Sequence, residues 1–253
     1  VSIYGLINAA ICVETIDKDL ICVILECPPP IWRKKMQPQW FYIVNWIRVY
    51  YGVYLLYSGI RYAATGFVPE IPGVGGKWVE ANADIYIYQF VKYLEIVAGL
   101  MIVSNRFPLL GLILEMPTTV NVFWLNTFIV ATPRQLFTGP HELLMNGFLL
   151  LAYSGWIYAA IKPKLQPLWL WDHRYAYQPH VQPAPVMAPT RKNQSFALIA
   201  CLILTALLFI GSTGLFYTEY RPIRNRDLTA YVCAWLWLLY MVYQDRKQMH
   251  QAS

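Results

Sequence analysis

The chain has 253 residues, of which 57% are hydrophobic, 16% aromatic and only 13% charged, whereas a soluble domain carries about 25% charged residues. This composition excludes a disordered chain, a disulfide scaffold and an ordinary soluble enzyme, and the apolar residues lie in long blocks, as in an integral membrane protein. The net charge of +6 is interpreted as membrane topology and contact with anionic lipids. It does not indicate nucleic-acid binding, because no basic stripe with interleaved aromatic residues lies outside the blocks.

Residues 1–35 fit none of these blocks. Glu14 and Asp17 interrupt their apolar runs, so the segment cannot cross a membrane as one helix, and it lacks the pattern of a signal peptide. We interpret it as an upstream mis-translation or a weakly structured extension. An amphipathic surface segment is the alternative.

Six blocks come close to the length of about 20 residues that a helix needs to cross a bilayer. None alternates apolar and polar residues as a membrane strand would, and backbone groups in lipid must be satisfied within the segment, so the blocks are predicted to be helices. Pro117 lies inside the third block and should kink it. The sixth block is short, and it either spans with little tilt or lies in the interface. The blocks are 41–65, 85–104, 107–130, 141–161, 195–217 and 228–243.

The predicted fold is an all-α integral membrane protein with a four-helix transmembrane bundle at 36–161 and a C-terminal two-helix hairpin within 195–253. The Gly- and Pro-rich loop 66–84 is predicted to form defined turns more than secondary structure. An extended, Pro- and Trp-rich cytoplasmic link, 162–194, joins the two units. The distribution of Lys and Arg between the links places both termini in the cytoplasm, and we expect a bacterial inner membrane.

Parts of the first four blocks resemble the DoxX family of small four-helix membrane proteins. The first block contains LLYSGIRYA, the next two read FVKYLEIVAGLMIVSNRFPLLGLILEMPTTVNVF, and the fourth contains HELLMNGFLLLAY. The specific features are the Gly-rich LEIVAGL, the tight NRF link, and the Pro followed by Val-Asn. The resemblance covers residues 41–161, about half the chain, and the two further spans depart from the family pattern.

The resemblance implies a membrane subunit of an oxidoreductase complex that handles sulfur compounds or quinones, although many relatives have no known activity and membership does not confer a reaction. The chain has no flavin, haem or iron–sulfur motif, so a redox cofactor would sit on a partner protein. Cys201 and Cys233 are interpreted as packing residues, because the chain contains no CxxC motif. The four histidines have no spacing that predicts a metal site.

Ionisable residues inside the predicted spans are the main candidates for function, because a charge within a membrane is costly. The helical rise puts Arg48, Glu95 and Glu115 at a similar depth, so these three should converge within hydrogen-bond or ion-pair reach. Lys92 lies about one turn further out. A second tier of polar candidates comprises His141, Glu142, Asn121 and Asn126.

Two interpretations of this buried set stay open. It is either a structural polar clasp that fixes helix register, or a proton relay or quinone headgroup site, since a quinone needs donors beside apolar walls. Catalytic residues cannot be named from the sequence.

The first functional hypothesis is an accessory or quinone-facing membrane subunit of a redox complex. The alternative is a non-catalytic membrane scaffold or binding protein that docks a partner through loop 66–84 and the Pro/Trp-rich link. Both hypotheses require the lipid bilayer and a membrane or peripheral protein partner. A small-solute transporter is less well supported, because no pair of broken helices is visible.

Removing residues 1–35 should leave the protein able to insert, because this segment has no continuous apolar face with which to pack against the bundle. A chain that begins at Met36 is expected to reach the membrane at the level of the full chain, as measured by immunoblotting of membrane fractions. Failure of the shorter chain alone would assign the segment a structural role.

Overall fold

The computed structural model describes residues 38–69, 71, 73–153, 190–213 and 224–251, and these residues contain helices and no strand. The all-α prediction is therefore confirmed for this part of the chain. A π-helical turn, Leu125–Val130, continues the fourth helix. The helices are α1 (Pro38–Thr65), α2 (Val74–Asp84), α3 (Ile87–Ser104), α4 (Pro108–Trp124), α5 (Pro133–Ala152), α6 (Arg191–Thr213) and α7 (Asn225–Gln251).

Three helices of the described chain are long enough and apolar enough to cross a membrane, namely α3, α4 with its π-helical turn, and α6. They correspond to the second, third and fifth predicted blocks, and they support integration into a membrane. The remaining three blocks overlap with α1, α5 and α7. Residues 1–35 and most of the predicted link lie outside the described residues, and the last four residues of that link, 191–194, form the first turn of α6.

Helix α1 is the centre of the structure. Every residue from Tyr42 to Gly52 is buried, so this part of the helix is covered on all sides instead of along one stripe. Its main neighbours are α3 and α7, followed by α6 and α5. The polar groups of α1 therefore have to find partners on these helices.

The C-terminal helices do not form a separate hairpin. α6 and α7 contact each other little, and each packs more extensively against α1. The buried side of α7 includes Ala230, Ala234 and Leu238, which recur every four residues along the helix. These small and apolar residues allow α7 to cover the face of α1 that α3 leaves open, so the hairpin prediction is not confirmed.

Three glycines bring α1 and α3 into close contact. A Cβ atom on Gly99 would lie 2.8 Å from the carbonyl oxygen of Gly52, and a Cβ atom on Gly59 would lie 2.5 Å from the carbonyl oxygen of Lys92. Small residues at such positions let two helix backbones approach each other directly, as at many membrane helix interfaces.

Loop 66–84 contains a helix over more than half of its length, and the prediction of turns more than secondary structure is wrong. Helix α2 occupies 74–84, because a glycine at its start and another in its first turn permit a conformation that other residues would not. Gly73 precedes the helix with φ 77°, and a Cβ atom on Gly76 would lie 1.8 Å from the carbonyl oxygen of Ile71. The glycines that suggested an irregular loop therefore fold the chain tightly back onto a helix.

Replacing Gly99 with alanine should push α1 and α3 apart and reduce stability by about 1–3 kcal/mol, the typical cost of overpacking. The matched control is Gly147→Ala, because a Cβ atom there meets no atom within 4 Å. Thermal unfolding of both variants in detergent measures the difference. Equal midpoints for the two variants would contradict the close α1–α3 packing.

Candidate functional site

A cavity of about 470 Å³ lies at one end of the helix bundle. This is the end at which α1, α4 and α6 finish and α3, α5 and α7 begin, and α2 contributes Trp78, Val79 and Asn82 to its wall. The volume falls in the range of pockets that bind small molecules, about 300–1,000 Å³. The π-helical turn also lines the cavity through Leu125, Asn126 and Val130.

The wall of the cavity is divided between polar and apolar residues. Apolar side chains come from the segment before α2 and from α2, α3, α4 and the π-helical turn, and they include Ile71, Val79, Ile87, Val91, Val122 and Leu125. Charged side chains come from α3, α5 and α7 and the residue before α7. They are Lys92, Glu95, Arg134, Glu142, Arg224 and Arg226.

Lys92 and Glu95 form an ion pair on the wall of the cavity. The Lys92 Nζ atom lies 2.5 Å from Glu95 Oε1 and donates a second hydrogen bond to Ser58 Oγ at 2.9 Å. Glu95 Oε2 is buried and has no hydrogen-bond partner among the described residues. A buried acceptor without a partner is costly, so a donor from a ligand would find an available acceptor at this oxygen.

A second cluster joins α1, α5 and α7 around Glu142. The Tyr54 hydroxyl donates a hydrogen bond to Glu142 Oε1, and Arg226 Nη2 lies 3.9 Å from the same oxygen. The Arg226 guanidinium stacks on the Tyr54 ring at 3.6 Å from its centroid and approaches Asp227 Oδ1 at 3.8 Å. Burial lowers the pKa of Arg226, but Tyr54, Glu142 and Asp227 together raise it above its usual value.

A polar network connects three helices deeper in the bundle. Asn146 Nδ2 donates to the Tyr51 hydroxyl at 3.2 Å, to Thr119 Oγ1 at 3.3 Å and to the Leu112 carbonyl oxygen at 3.3 Å. The hydroxyls of Tyr51 and Thr119 are 3.0 Å apart, and Thr119 donates to the carbonyl oxygen of Glu115 at 3.0 Å. The network thus ends at the residue that carries the third buried carboxylate.

The Glu115 side chain is buried but has little hydrogen bonding. Only 2% of the residue is exposed, and its Oε2 atom has no hydrogen-bond partner in the described part of the chain. Glu95, Glu142 and Lys92 are close enough to act on it electrostatically. The structure therefore brings Lys92, Glu95 and Glu115 into one region.

Arg48 lies apart from this region, at the other end of α3. Its Nη1 atom donates to the carbonyl oxygens of Ile102 and Val103, both at 2.9 Å, and its Nη2 atom donates to Asn45 Oδ1 at 3.0 Å. These carbonyl groups belong to the last turn of α3, where backbone acceptors lack helical partners and the helix dipole is negative.

The predicted convergence of Arg48 with Glu95 and Glu115 is therefore wrong. Agreement in depth along the helices does not determine where a long side chain points. A helical side chain leans towards the N-terminus of its own helix, and the contact with Asn45, three residues earlier, shows that Arg48 does so. For α1 this direction leads away from the two carboxylates and towards the end of α3.

The second-tier residues divide into two groups. Glu142, Asn121 and Asn126 line the cavity. His141 is buried beside it, stacked on the Phe137 ring with centroids 5.6 Å apart, and its Nε2 atom has no hydrogen-bond partner among the described residues. No group of three or more His, Cys, Asp or Glu side chains within the described ranges could hold a metal ion.

Two charged cavity residues were not identified from the sequence, Arg224 and Arg226. They precede the last apolar block, and only ionisable residues inside the blocks are candidates in the sequence analysis. The alternating direction of the blocks could have located both arginines. It places the start of the sixth block on the same side of the membrane as the start of the fourth, where Glu142 lies.

No family model matches the chain, and neither curated proteins nor solved structures show significant similarity to it.

Arg48→Leu should reduce the free energy of unfolding by roughly 3 kcal/mol, because it removes three charge-assisted hydrogen bonds and leaves the end of α3 without donors. Arg191→Leu, at an exposed position at the start of α6, is the control and should change stability by less than about 0.5 kcal/mol. Chemical denaturation in detergent micelles provides the measurement. Similar losses in both variants would show that Arg48 does not anchor α3.

Proposed function

We propose that the chain is a DoxX-like membrane protein that binds a quinone headgroup and acts as the quinone-facing subunit of an oxidoreductase complex. In this proposal, all six apolar blocks span the membrane, and the first four form the bundle. Both termini lie in the cytoplasm of a bacterial cell, and the cavity is at the opposite side of the membrane.

The observation that carries the proposal is the divided wall of the cavity. Lys92 places a charged donor on one side, with one N–H group beyond those bonded to Glu95 and Ser58, while Ile87, Val91 and Val122 supply an apolar side. A quinone headgroup combines two carbonyl acceptors with a flat apolar ring, and it suits a pocket with few polar groups in an apolar wall. The cavity reaches helices that are apolar enough to face lipid, from which a quinone would enter.

The buried carboxylates suit the proton requirement of quinone reduction. Conversion of a quinone to a quinol consumes two electrons and two protons. The electrons would come from a redox cofactor on a partner protein, whereas Glu95 and Glu115 are groups of this chain that can hold a proton near the cavity. The Thr119, Tyr51 and Asn146 side chains extend this polar route into the bundle.

The alternative is a non-catalytic scaffold, in which the Lys92–Glu95 pair and the Glu142 cluster serve only to fix helix register. A polar clasp within the membrane needs no ligand. A measurement of quinone binding therefore distinguishes the quinone-facing subunit from the scaffold.

A ubiquinone with a one-unit isoprenoid tail should bind to the full chain in lipid nanodiscs, and Lys92→Met should weaken that binding about tenfold through loss of a donor. The control is Lys77→Met, which alters an exposed residue outside the cavity wall. Calorimetric titration gives the dissociation constants. Absence of binding to the unaltered protein would favour the scaffold.

Glu95→Gln should separate a proton role from a structural one, because glutamine keeps the shape of the side chain but cannot release a proton at neutral pH. We expect the variant to fold and bind quinone while quinone-linked activity of the native membranes falls by at least tenfold. Unchanged activity in a normally folded variant would leave Glu95 with only a structural role.

A further inference from the structure

Among the described residues, two cations on the cavity wall have carboxylate partners within ion-pair distance, and Arg224 has none. Lys92 is paired with Glu95 at 2.5 Å. Arg226 lies within 4 Å of carboxylate oxygens of Glu142 and Asp227. Arg224 also lines the cavity, yet no carboxylate of the described chain lies within ion-pair distance of its guanidinium.

The surroundings of Arg224 are unfavourable for a positive charge. The residue is partly buried, and burial, followed by the nearby Arg226, lowers the pKa of its guanidinium, although Tyr54, Asp227 and Glu142 partly offset this shift. A guanidinium remains charged in proteins even so, which means that the charge is retained at an energetic cost. An anion beside it would offset both the desolvation and the repulsion by Arg226.

The same side of the cavity offers further groups that bind anions. Arg134 and Gln135 extend into the wall from the first turn of α5, and Arg224 and Arg226 flank the first residue of α7. Both helices begin here, so the positive ends of their dipoles face this side. Arginine forks and helix N-termini are the groups with which proteins bind phosphate-type oxyanions.

We infer that the α5/α7 side of the cavity is a subsite for a tetrahedral oxyanion of the phosphate type, held chiefly by Arg224. The oxyanion is either a free inorganic ion or the headgroup of an anionic lipid, since both present the same oxygens and the cavity lies beside membrane-facing helices. This inference rests on the cavity that carries the proposed function, but it does not require a quinone there.

The test uses the full chain in nanodiscs of a neutral phosphatidylcholine. Inorganic phosphate is titrated at constant ionic strength with chloride as the reference anion, and in a second arm native mass spectrometry counts phosphatidylglycerol molecules retained from mixed nanodiscs. Selective phosphate binding identifies a free ion, and selective lipid retention identifies a headgroup. The affinity for phosphate, or the retention of phosphatidylglycerol, should fall about tenfold in Arg224→Gln, because one charged contact is lost. The fall should be smaller in Arg224→Lys, which keeps the charge.

Arg191→Gln is the control, because it removes an exposed arginine at the opposite end of α6. The subsite would be overturned if Arg191→Gln and Arg224→Gln reduced phosphate or lipid binding equally, or if neither variant reduced it. It would also be overturned if the unaltered chain bound neither phosphate nor the lipid. Unfolding midpoints verify that each variant is folded.

The same variants titrated with the short-tail ubiquinone distinguish the two proposals. Quinone binding without anion binding would overturn the subsite alone. Anion binding that depends on Arg224, in a protein that binds no quinone, would overturn the proposed function and support the subsite.

Discussion

The burial of residues 42–52 of α1 on all sides is the constraint on which the remaining structure depends. A helix segment in this position cannot present a polar side to water, so its polar side chains depend on the rest of the bundle for most of their partners. Arg48 reaches the end of α3, Tyr51 reaches Thr119 on α4, and Tyr54 reaches Glu142 on α5. Successive turns of one helix therefore bind three different neighbours and fix their register.

The cavity lies at the end of the bundle where Tyr54 reaches Glu142. Glycines hold α1 and α3 in direct backbone contact, and at the cavity end a Cβ atom on Gly139 of α5 would lie only 3.2 Å from the carbonyl oxygen of Phe123 on α4. Helix α2 folds over this end and contacts both α3 and the π-helical turn. π-Helical turns are frequent at functional sites because they break the regular packing of a helix, and here three residues of the turn line the cavity.

The helices could be predicted from sequence because long apolar runs have few other structures available in a membrane. The central position of α1 could not, since several blocks have similar composition and only packing distinguishes them. Helix α2 was missed because its glycines, read locally, favour turns. Their role depends on Ile71 approaching Gly76, a tertiary contact that composition does not reveal.

The candidate site could also be predicted only in part, because local sequence reveals which residues are unusual but not which side chains meet. Lys92, Glu95 and Glu115 were identified because charge within an apolar block is conspicuous, and their depths place them in one region. Arg48 was misplaced because depth along a helix leaves the direction of a flexible side chain open. Arg224 and Arg226 lie outside the apolar blocks, where basic residues are ordinary and carry no local signal.

The two ends of the bundle differ in which buried polar atoms lack hydrogen-bond partners among the described residues. Near the α3 terminus these atoms are the Arg48 Nε and Trp46 Nε1 donors. At the α3 terminus, the end carbonyls accept two hydrogen bonds from Arg48, and nearby Tyr42 donates to Asp245 at 2.5 Å. Towards the cavity, one carboxylate oxygen of Glu95 and one of Glu115 are buried without hydrogen-bond partners among the described residues. A molecule that satisfied such groups would bind the folded state alone and so stabilise it. The carboxylate oxygens without partners near the cavity are therefore consistent with the binding role proposed for it.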